Sequence, residues 1–475
     1  MAATTGRPLF VDLDGTLVKS DTLLDSLLLL ARANPARLLS LPQWLSGGKA
    51  SFKAHVVGTV SLDVVHLPYN RELLAHLREE HRAGRKLYLA TGADGALAHR
   101  IAGHLGIFEG VLASDGATNL TGGNKLAGLR RHLPDGDFDY IGNSVPDLPL
   151  LREARRPMVA NPDAGLRRRL KAHRVEVHRE FKDRASGFKS FVGAIRLHQW
   201  AKNFLLFVPL LLSHAVRAEG LLRTALAFLC FSVSASATYI LNDLLDMDAD
   251  RRHPKKRLRP FAAGDLSATA GMGLAGAFLL LGFAAAWWLS ADFLGWLLGY
   301  FVTTLAYSLA LKRIVLVDVL VLSGLYTVRM LAGASVTQTA ISPWLAGFSL
   351  FLFLSLAMVK RFSELRNLRA SGEVLDNGRG YVLMDIEQLR SFGTASAYAS
   401  VVVFTLYISG RDIAALYGHP HRMWLITPFL ILWVSRFWLL ASRGELNEDP
   451  VVFALTDRTS LLIGAAIAAI ALFSL

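Results

Sequence analysis

From about Ile195 to the end of the chain, long apolar runs alternate with short charged segments. Crossing about 30 Å of hydrocarbon takes about 20 residues of helix. Runs of that order lie near 196–214, 221–241, 266–290, 292–311, 314–336, 343–361, 394–412, 421–441 and 455–475. A backbone in lipid has no water to bond to, so such runs must satisfy their own peptide groups as helices. Residues of about 190–475 are therefore expected to form an all-α, polytopic membrane bundle of about nine helices. Residues 1 to about 185 differ. Their charge is mixed and their apolar runs are short, so the chain reads as two parts.

The charges orient the bundle. The net charge is +13, which in a soluble protein would raise nucleic acid as a partner. Here the cations sit in loops between apolar runs, without the interleaved aromatics that single-strand binders use. No nucleic-acid partner is expected. The expected cytoplasmic loops are 242–265, with Arg251, Arg252, Lys255, Lys256, Arg257 and Arg259; 312–313, with Lys312 and Arg313; 360–391, with Lys360, Arg361, Arg366 and Arg369; and 442–454. The loops near Ser213, Ser290 and Gln338 carry few charges. This asymmetry implies an integral protein of a bacterial-type inner or plasma membrane, with its N-terminal half in the cytoplasm and its C-terminus outside. Phe10-Val11-Asp12-Leu13-Asp14 is acidic where a secretory signal would be apolar, which agrees. The one cysteine, Cys230, lies in an apolar run, so neither a disulfide framework nor a cysteine metal site is expected within one chain.

The first part, about 1–180, reads as alternating strand and helix. Leu9-Phe10-Val11, Lys86-Leu87-Tyr88-Leu89-Ala90 and Asp139-Tyr140-Ile141-Gly142 are short strands that run into polar turns. An open parallel sheet presents a site at such a carboxyl edge, so an α/β, Rossmann-like domain is expected. Leucine-rich residues of about 17–75 are expected to form an inserted helical cap. Arg167–Arg184, polar and basic, reads as a linker lying against anionic lipid headgroups.

The densest chemistry closes the second membrane helix: Asn242-Asp243-Leu244-Leu245-Asp246-Met247-Asp248-Ala249-Asp250. At 100° per residue, Asn242, Asp243, Asp246, Asp250 and Tyr239 fall within an arc of about 100°. Asp248 points away. Three carboxylates on one face repel one another unless cations lie among them, and magnesium is a hard ion suited to oxygen ligands plus substrate phosphates. The basic run Arg251–Arg259 follows at once. Carboxylates and guanidiniums together suit a diphosphate held from both sides. The bland alternative is a solvated helix end.

Three further clusters stand in or beside membrane runs. On the fifth helix, Asp318, Tyr326 and Arg329 share a face, and buried charges there must face a cavity or each other. Lys360 and Glu364 are spaced to pair where the sixth helix reaches the cytoplasm. On the first helix, Arg196, Gln199 and Asn203 share a face with Lys202 to one side. An interhelical ion pair and headgroup anchors are the structural alternatives.

The Asn-Asp-x-x-Asp-x-x-x-Asp pattern resembles the signature of the UbiA superfamily of intramembrane prenyltransferases. The likeness covers roughly 190–475. It implies a helical bundle whose aspartates hold Mg2+ and a diphosphate, with a polyprenyl lipid as partner. Within that superfamily the chain looks most like decaprenyl-phosphate phosphoribosyltransferases. The segments that carry this are Arg196–Asn203, Asp250–Pro260, Tyr307–Lys312, Tyr326–Arg329 and Lys360–Leu365. The resemblance implies transfer of 5-phosphoribosyl from phosphoribosyl diphosphate to a polyprenyl phosphate. It implies Asp243, Asp246 and Asp250 as metal ligands and catalytic groups. Asn242, Arg257, Arg259, Lys202, Asn203, Lys312, Tyr326, Arg329 and Lys360 become substrate-binding groups.

In the first part, Asp12-Leu13-Asp14-Gly15-Thr16 follows a strand. Two carboxylates so spaced suit a nucleophile and a general acid around magnesium. The segment resembles the first motif of haloacid dehalogenase (HAD) phosphatases. Thr91 then matches the family's phosphate-binding hydroxyl, Lys125 its cation, and Gly142–Asp147 its fourth motif. Asp12, Asp14 and Asp147 are the implied metal ligands. The fourth motif usually begins with Asp. Here that position is Asn143, an amide that ligates without charge, so a degenerate regulatory or scaffolding domain is the alternative to an active phosphatase.

Two other readings stay open at this point. One is transfer from a polyprenyl diphosphate to an aromatic acceptor. The other is a membrane phosphatase whose helices serve mainly as an anchor. A transporter would show inverted repeats and broken helices, and no half-to-half symmetry is visible. Lipid chain length and oligomeric state are left open.

Overall fold

The computed structural model describes residues 6–133, 136–213, 217–371, 379–410, 417–446 and 449–475. The chain folds as two compact units. The first is Met1–Ile195 with Tyr239–Leu274, and the second is Arg196–Thr238 with Ala275–Leu475.

The first unit is built on a six-stranded, wholly parallel sheet. Its strands are β1 (Leu9–Val11), β2 (Leu87–Asp94), β3 (Gly110–Ser114), β4 (Asp139–Gly142), β5 (Pro157–Ala160) and β6 (Arg179–Phe181), in the order β3-β2-β1-β4-β5-β6. That order reverses at β1, and doubly wound sheets place their sites at the carboxyl ends of strands beside such a reversal. Helices cover both faces, so the inner strands are apolar on each side. Leu9 and Val11 pack into one core with Leu73, Leu77 and Ile101. Phe10, between them, packs into the other with Leu129, Tyr140 and Leu166. Between β1 and β2 the chain forms helices Thr22–Ala33, Leu41–Ser46, Gly48–Thr59 and Arg71–Arg82.

The expected linker Arg167–Arg184 is instead part of this fold. Leu166 and Leu170, one helical turn apart, bury the inner face of helix Ala164–Ala172. Phe181 is fully buried in β6, which pairs with β5. The basic residues that made the stretch look like a linker occupy the outer faces.

Among the described residues, six helices are long and apolar enough to cross a membrane: Ala218–Leu245, Ala268–Leu289, Val317–Thr337, Pro343–Ala370, Asp385–Ile408 and Pro420–Arg443. A seventh crossing would be the pair Pro450–Thr456 and Arg458–Phe473, bent by 74°. Ala268–Leu289 exposes Leu280, Leu281, Trp287 and Trp288, an apolar face suited to lipid. Two of the nine expected positions differ. Ala291–Leu309 is a continuous helix in the expected place, but with Asp292, Tyr300 and Tyr307 in it, it is not one of the six. The first expected span is a 3-10 segment, Leu197–Phe207, followed by the short helix Val208–Leu212. Arg196 before it has a left-handed backbone, φ +50°, and Pro209 lacks the N–H that a continuous α-helix would use. Parts of the loops expected at 360–391 and 442–454, and the end of the run at 394–412, lie outside the described residues.

In the second unit one core joins Val319 and Met330 to Phe362, Phe404, Phe437 and Trp438. Two glycines permit close approach there. A Cβ at Gly333 would lie 2.1 Å from the Leu206 carbonyl oxygen, and one at Gly393 would lie 2.1 Å from the Trp438 ring.

Candidate functional site

The acidic motif lies in the first unit. Helix Ala218–Leu245 ends just before Asp246, which caps a short helix, Met247–Arg252. The break is small. Asp246 N donates to Asn242 O at 2.9 Å and Asp250 N to Asp246 O at 2.8 Å, so the helical spacing carries across it. Asp243 and Asp250 are buried and meet at one cation. Nη1 of Arg259 donates to Asp243 Oδ1 at 3.1 Å and to Asp250 Oδ2 at 2.5 Å. Asp246, half-buried, stands 3.4 Å from Nη1 of Arg32. Asp248 goes elsewhere and pairs with Arg252. Burial raises the Asp250 carboxyl above its ordinary range, and Arg259 opposes that. Asn242 sits half-buried in the last turn of its helix, and Arg257 is exposed in the turn Lys256–Leu258.

Among the described residues, no three His, Cys, Asp or Glu side chains gather as a metal centre. The carboxylates divide between Arg259 and Arg32. The donor chemistry nonetheless suits a hard divalent cation: the carboxylate groups offer oxygens, and a cationic nitrogen already lies between two of them.

The α/β site forms at the carboxyl ends of β1, β2 and β4. Lys125, buried, is its centre. Its Nζ donates to Asp12 Oδ1 at 2.8 Å, to Asp147 Oδ1 at 3.0 Å and to the Tyr140 hydroxyl at 3.1 Å. Asp147 Oδ1 also accepts from Tyr140, and its Oδ2 accepts from the backbone N–H groups of Asn143 and Ser144. Both oxygens of Asp147 thus serve to anchor Lys125 and the β4 turn. Burial pushes the Asp12 carboxyl up to about 6, with Lys125 opposing. Burial and neighbouring Asp21 push Asp14 up to about 8. Burial would lower the Lys125 ammonium, but Asp12 and Asp147 outweigh it and raise it. Asp14 Oδ1 accepts from Thr22 N at 2.8 Å, and the buried Thr91 hydroxyl accepts from Ala93 N at 3.0 Å. Gly15, at φ +74°, lies under Asn143, whose amide nitrogen would be 2.0 Å from any Cβ there. Among the described residues, Asn143 Oδ1 is buried without a hydrogen-bond partner. An orphaned amide oxygen packed against Gly15, the residue after Asp14, fits a cation ligand.

In the second unit a polar cluster is buried among the helices. Arg329 Nε donates to Asn203 Oδ1 at 2.9 Å, and its Nη2 donates to the Tyr300 hydroxyl at 3.1 Å. The rings of Phe231, Tyr300 and Tyr326 surround its guanidinium at 4.8 to 5.5 Å. Lys202 and Lys360 both donate to Asp449 Oδ2, at 2.8 and 3.1 Å, and the Tyr326 hydroxyl lies 3.5 Å from its Oδ1. Lys312 is partly buried in the turn Leu311–Arg313. Lys202, Asn203, Tyr326, Arg329 and Lys360 therefore come together.

Two expectations change here. Asp318 does not share a partner with Arg329. It accepts from Arg361 Nε at 2.6 Å and from the Tyr381 hydroxyl, nearer the start of the helix that carries both. Eleven residues of helix separate Asp318 from Arg329 by about 16 Å. Lys360 does not pair with Glu364, which takes Arg361 and Arg379 instead. The residue that organises the cluster, Asp449, was not singled out. Its sequence signal was a helix start: Asp449 accepts from Val451 N and precedes Pro450, a favoured first helical residue.

The sequence profile of the UbiA prenyltransferase family matches residues 204–461, more than half of the chain. The chain is 38% identical over 464 residues to the protein y4nM of Sinorhizobium fredii, covering 97% of this chain and 90% of that one. It is 33% identical over 282 residues to the decaprenyl-phosphate phosphoribosyltransferase of Mycobacterium tuberculosis (strain H37Rv), covering 58% of this chain and 90% of that one. A UbiA homolog from Archaeoglobus fulgidus, bound to DMAPP and Mg2+, superposes with a TM-score of 0.47 at 18% identity, over 59% of this chain and 98% of that one.

Proposed function

This chain belongs to the UbiA prenyltransferase family, and from that premise we propose that it transfers 5-phosphoribosyl from phosphoribosyl diphosphate to a polyprenyl phosphate in a magnesium-dependent reaction. The observation that carries the reading is the meeting of Asp243 and Asp250 on one nitrogen of Arg259. It sets paired carboxylates and a guanidinium side by side, as a metal-bound diphosphate requires. The likeness to decaprenyl-phosphate phosphoribosyltransferases supports the choice of donor and acceptor.

The lipid phosphate oxygen attacks C1 of ribose as the bond from C1 to the diphosphate oxygen breaks. Asp243, Asp246 and Asp250, with Asn242 assisting, would hold Mg2+, which when bound supplies positive charge for the departing diphosphate. Arg259 and Arg257 take phosphate oxygens. Lys202, Asn203, Lys312, Tyr326, Arg329 and Lys360 hold phosphate or ribose oxygens. Fixed cations of this kind act chiefly by electrostatic stabilisation.

Labelled phosphoribosyl diphosphate, polyprenyl phosphate and Mg2+ are expected to give a lipid-linked ribose phosphate. Asp246→Asn should fold normally and lose at least about a hundredfold in turnover. Near-full activity of the variant refutes the metal role. Prenyl transfer to an aromatic acceptor, with no ribosylated lipid, refutes the choice of substrate.

We further propose that the α/β half is a HAD-like phosphatase. Asp12 acts as nucleophile on a phosphomonoester and Asp14 as general acid. Thr91 and Lys125 hold the phosphate, and Asp12, Asp14 and Asn143 would hold Mg2+. The orphaned Asn143 oxygen supports this. The full chain should release phosphate from a phosphomonoester, and Asp12→Asn should abolish the release. Equal release by the variant would rule out the assignment.

A further inference from the structure

The helix Thr22–Ala33 follows the Asp12 and Asp14 segment directly, and its side chains reach the acidic motif and the arginine that follows it within the first unit. Arg251 Nη1 donates to Asp25 Oδ2 at 2.8 Å, and both side chains are at most 2% exposed. Ser20 bridges them, accepting from Arg251 Nη2 at 3.1 Å and donating to Asp25 Oδ2 at 2.6 Å. An ion pair this dry persists only with good geometry and extra hydrogen bonds, and this one has both. A second tie lies alongside, Lys19 Nζ to Asp265 Oδ1 at 3.4 Å. Gly264, at φ +72°, brings the backbone so close that a Cβ would lie 2.7 Å from Lys19 Cβ. The helix is therefore fixed against the motif loop. Its last turn carries Arg32, whose Nη1 stands 3.4 Å from Asp246 Oδ1. Among the described residues that is the one polar contact recorded for Arg32, and its side chain is about one-quarter exposed.

We propose that Arg32, supplied by the α/β half, is a diphosphate-binding residue of the transferase. The inference rests on the reading that Asp246 helps to hold a metal-bound diphosphate. A guanidinium beside that carboxylate is repelled when a divalent cation arrives there. The anion that arrives with the cation is the diphosphate, and the five N–H donors of arginine match phosphate oxygens in pairs. Before binding, Arg32 neutralises Asp246; on binding, it turns to the phosphate. The α/β half is on this account a working part of the transferase, whatever its own hydrolytic activity. A surface ion pair with no such role would contribute little to anything measurable.

The test is calorimetric titration of the full chain in detergent with inorganic diphosphate and Mg2+, comparing wild type, Arg32→Gln and Arg32→Lys. Arg32→Gln is expected to bind about tenfold more weakly, one charge-assisted contact being lost. Arg32→Lys should recover part of the loss, and unfolding temperatures should agree among the three. Equal affinities for wild type and Arg32→Gln overturn the role of Arg32 alone. A wild type that binds no diphosphate overturns the underlying reading, and this inference with it.

Discussion

At the scale of single residues, Asp449 decides how the cations of the bundle are held. Lys202 and Lys360 both end on it, and Tyr326 reaches its other oxygen. Burial alone would raise its carboxyl. Lys360 and Lys202 outweigh that and hold it well below the usual carboxylate range. A lowered carboxylate contributes stability that is present above its unfolded value and lost as pH falls through its folded one. The contribution of Asp449 is therefore complete from about pH 5 upward. Asp449→Asn leaves two cations without their counter-ion. The expected cost is about 3 kcal/mol, at the low end for breaking a buried pair because Lys360 is one-third exposed. Thermal unfolding in detergent should show a deficit that stays constant between about pH 5 and 8. A variant as stable as wild type would contradict this account. The sequence made the cations legible and this partner illegible, for a physical reason. Lys360 and Glu364 satisfy the helical pairing rule, but Glu364 is drawn to Arg361 and Arg379, and the carboxylate that Lys360 finds is 89 residues away. Local spacing states which pairs can meet and leaves undecided which of several competing pairs does.

At the scale of elements, helical phase was legible even across a break. Asn242 to Asp250 keep their spacing although Asp246 departs from helical geometry, because the backbone bonds on either side persist. The segment from Leu197 to Leu212 shows the opposite case. Its hydropathy suits one membrane helix, but tertiary packing winds its first part as 3-10 helix. Hydropathy reports burial and not winding. One contact that packing imposes there is with Gly333, where a Cβ would lie 2.1 Å from the Leu206 carbonyl oxygen. Backbone cannot yield as a flexible side chain can, so Gly333→Ala should separate the helix Val317–Thr337 from the 3-10 segment. The expected cost is at least about 1–3 kcal/mol. Arg329 on that helix bonds to Asn203 on the segment, so the separation also pulls apart a proposed phosphate-binding pair. Gly333→Ala should therefore raise KM for phosphoribosyl diphosphate as well as lower the unfolding temperature. A loss of stability with KM unchanged would separate the packing from the site.

At the scale of the whole molecule, an α/β part and an apolar helical part were visible in composition alone, but that Tyr239–Leu274 belongs to the same compact unit as the α/β part was not. The number of crossings was not, because length and hydropathy cannot separate a buried amphipathic helix from a spanning one. Ala291–Leu309 is the helix on which the count turns. Tyr300 uses its hydroxyl on Arg329, so part of this helix's polarity is spent inside the bundle and does not argue against lipid on its other faces. We expect it to span, with the basic loop 251–259 in the cytoplasm beside the α/β half and the segment near 340 outside. The single cysteine makes this testable by labelling with a membrane-impermeant maleimide in a Cys230→Ser background. Lys86, Lys256 and Ala340 are exposed and can be replaced one at a time by cysteine. Lys86→Cys and Lys256→Cys should react only from the cytoplasmic side, and Ala340→Cys only from the opposite side. Three helices separate positions 256 and 340: Ala268–Leu289, Ala291–Leu309 and Val317–Thr337. Opposite sides require an odd number of crossings among them. If positions 256 and 340 react from the same side, one of the three does not cross, and Ala291–Leu309, which is not among the six apolar spans, is the one to exclude. If Lys86 and Lys256 react from opposite sides, the positive-inside assignment fails. So does the proposal that Arg32 meets the acidic motif, because a membrane would then lie between them.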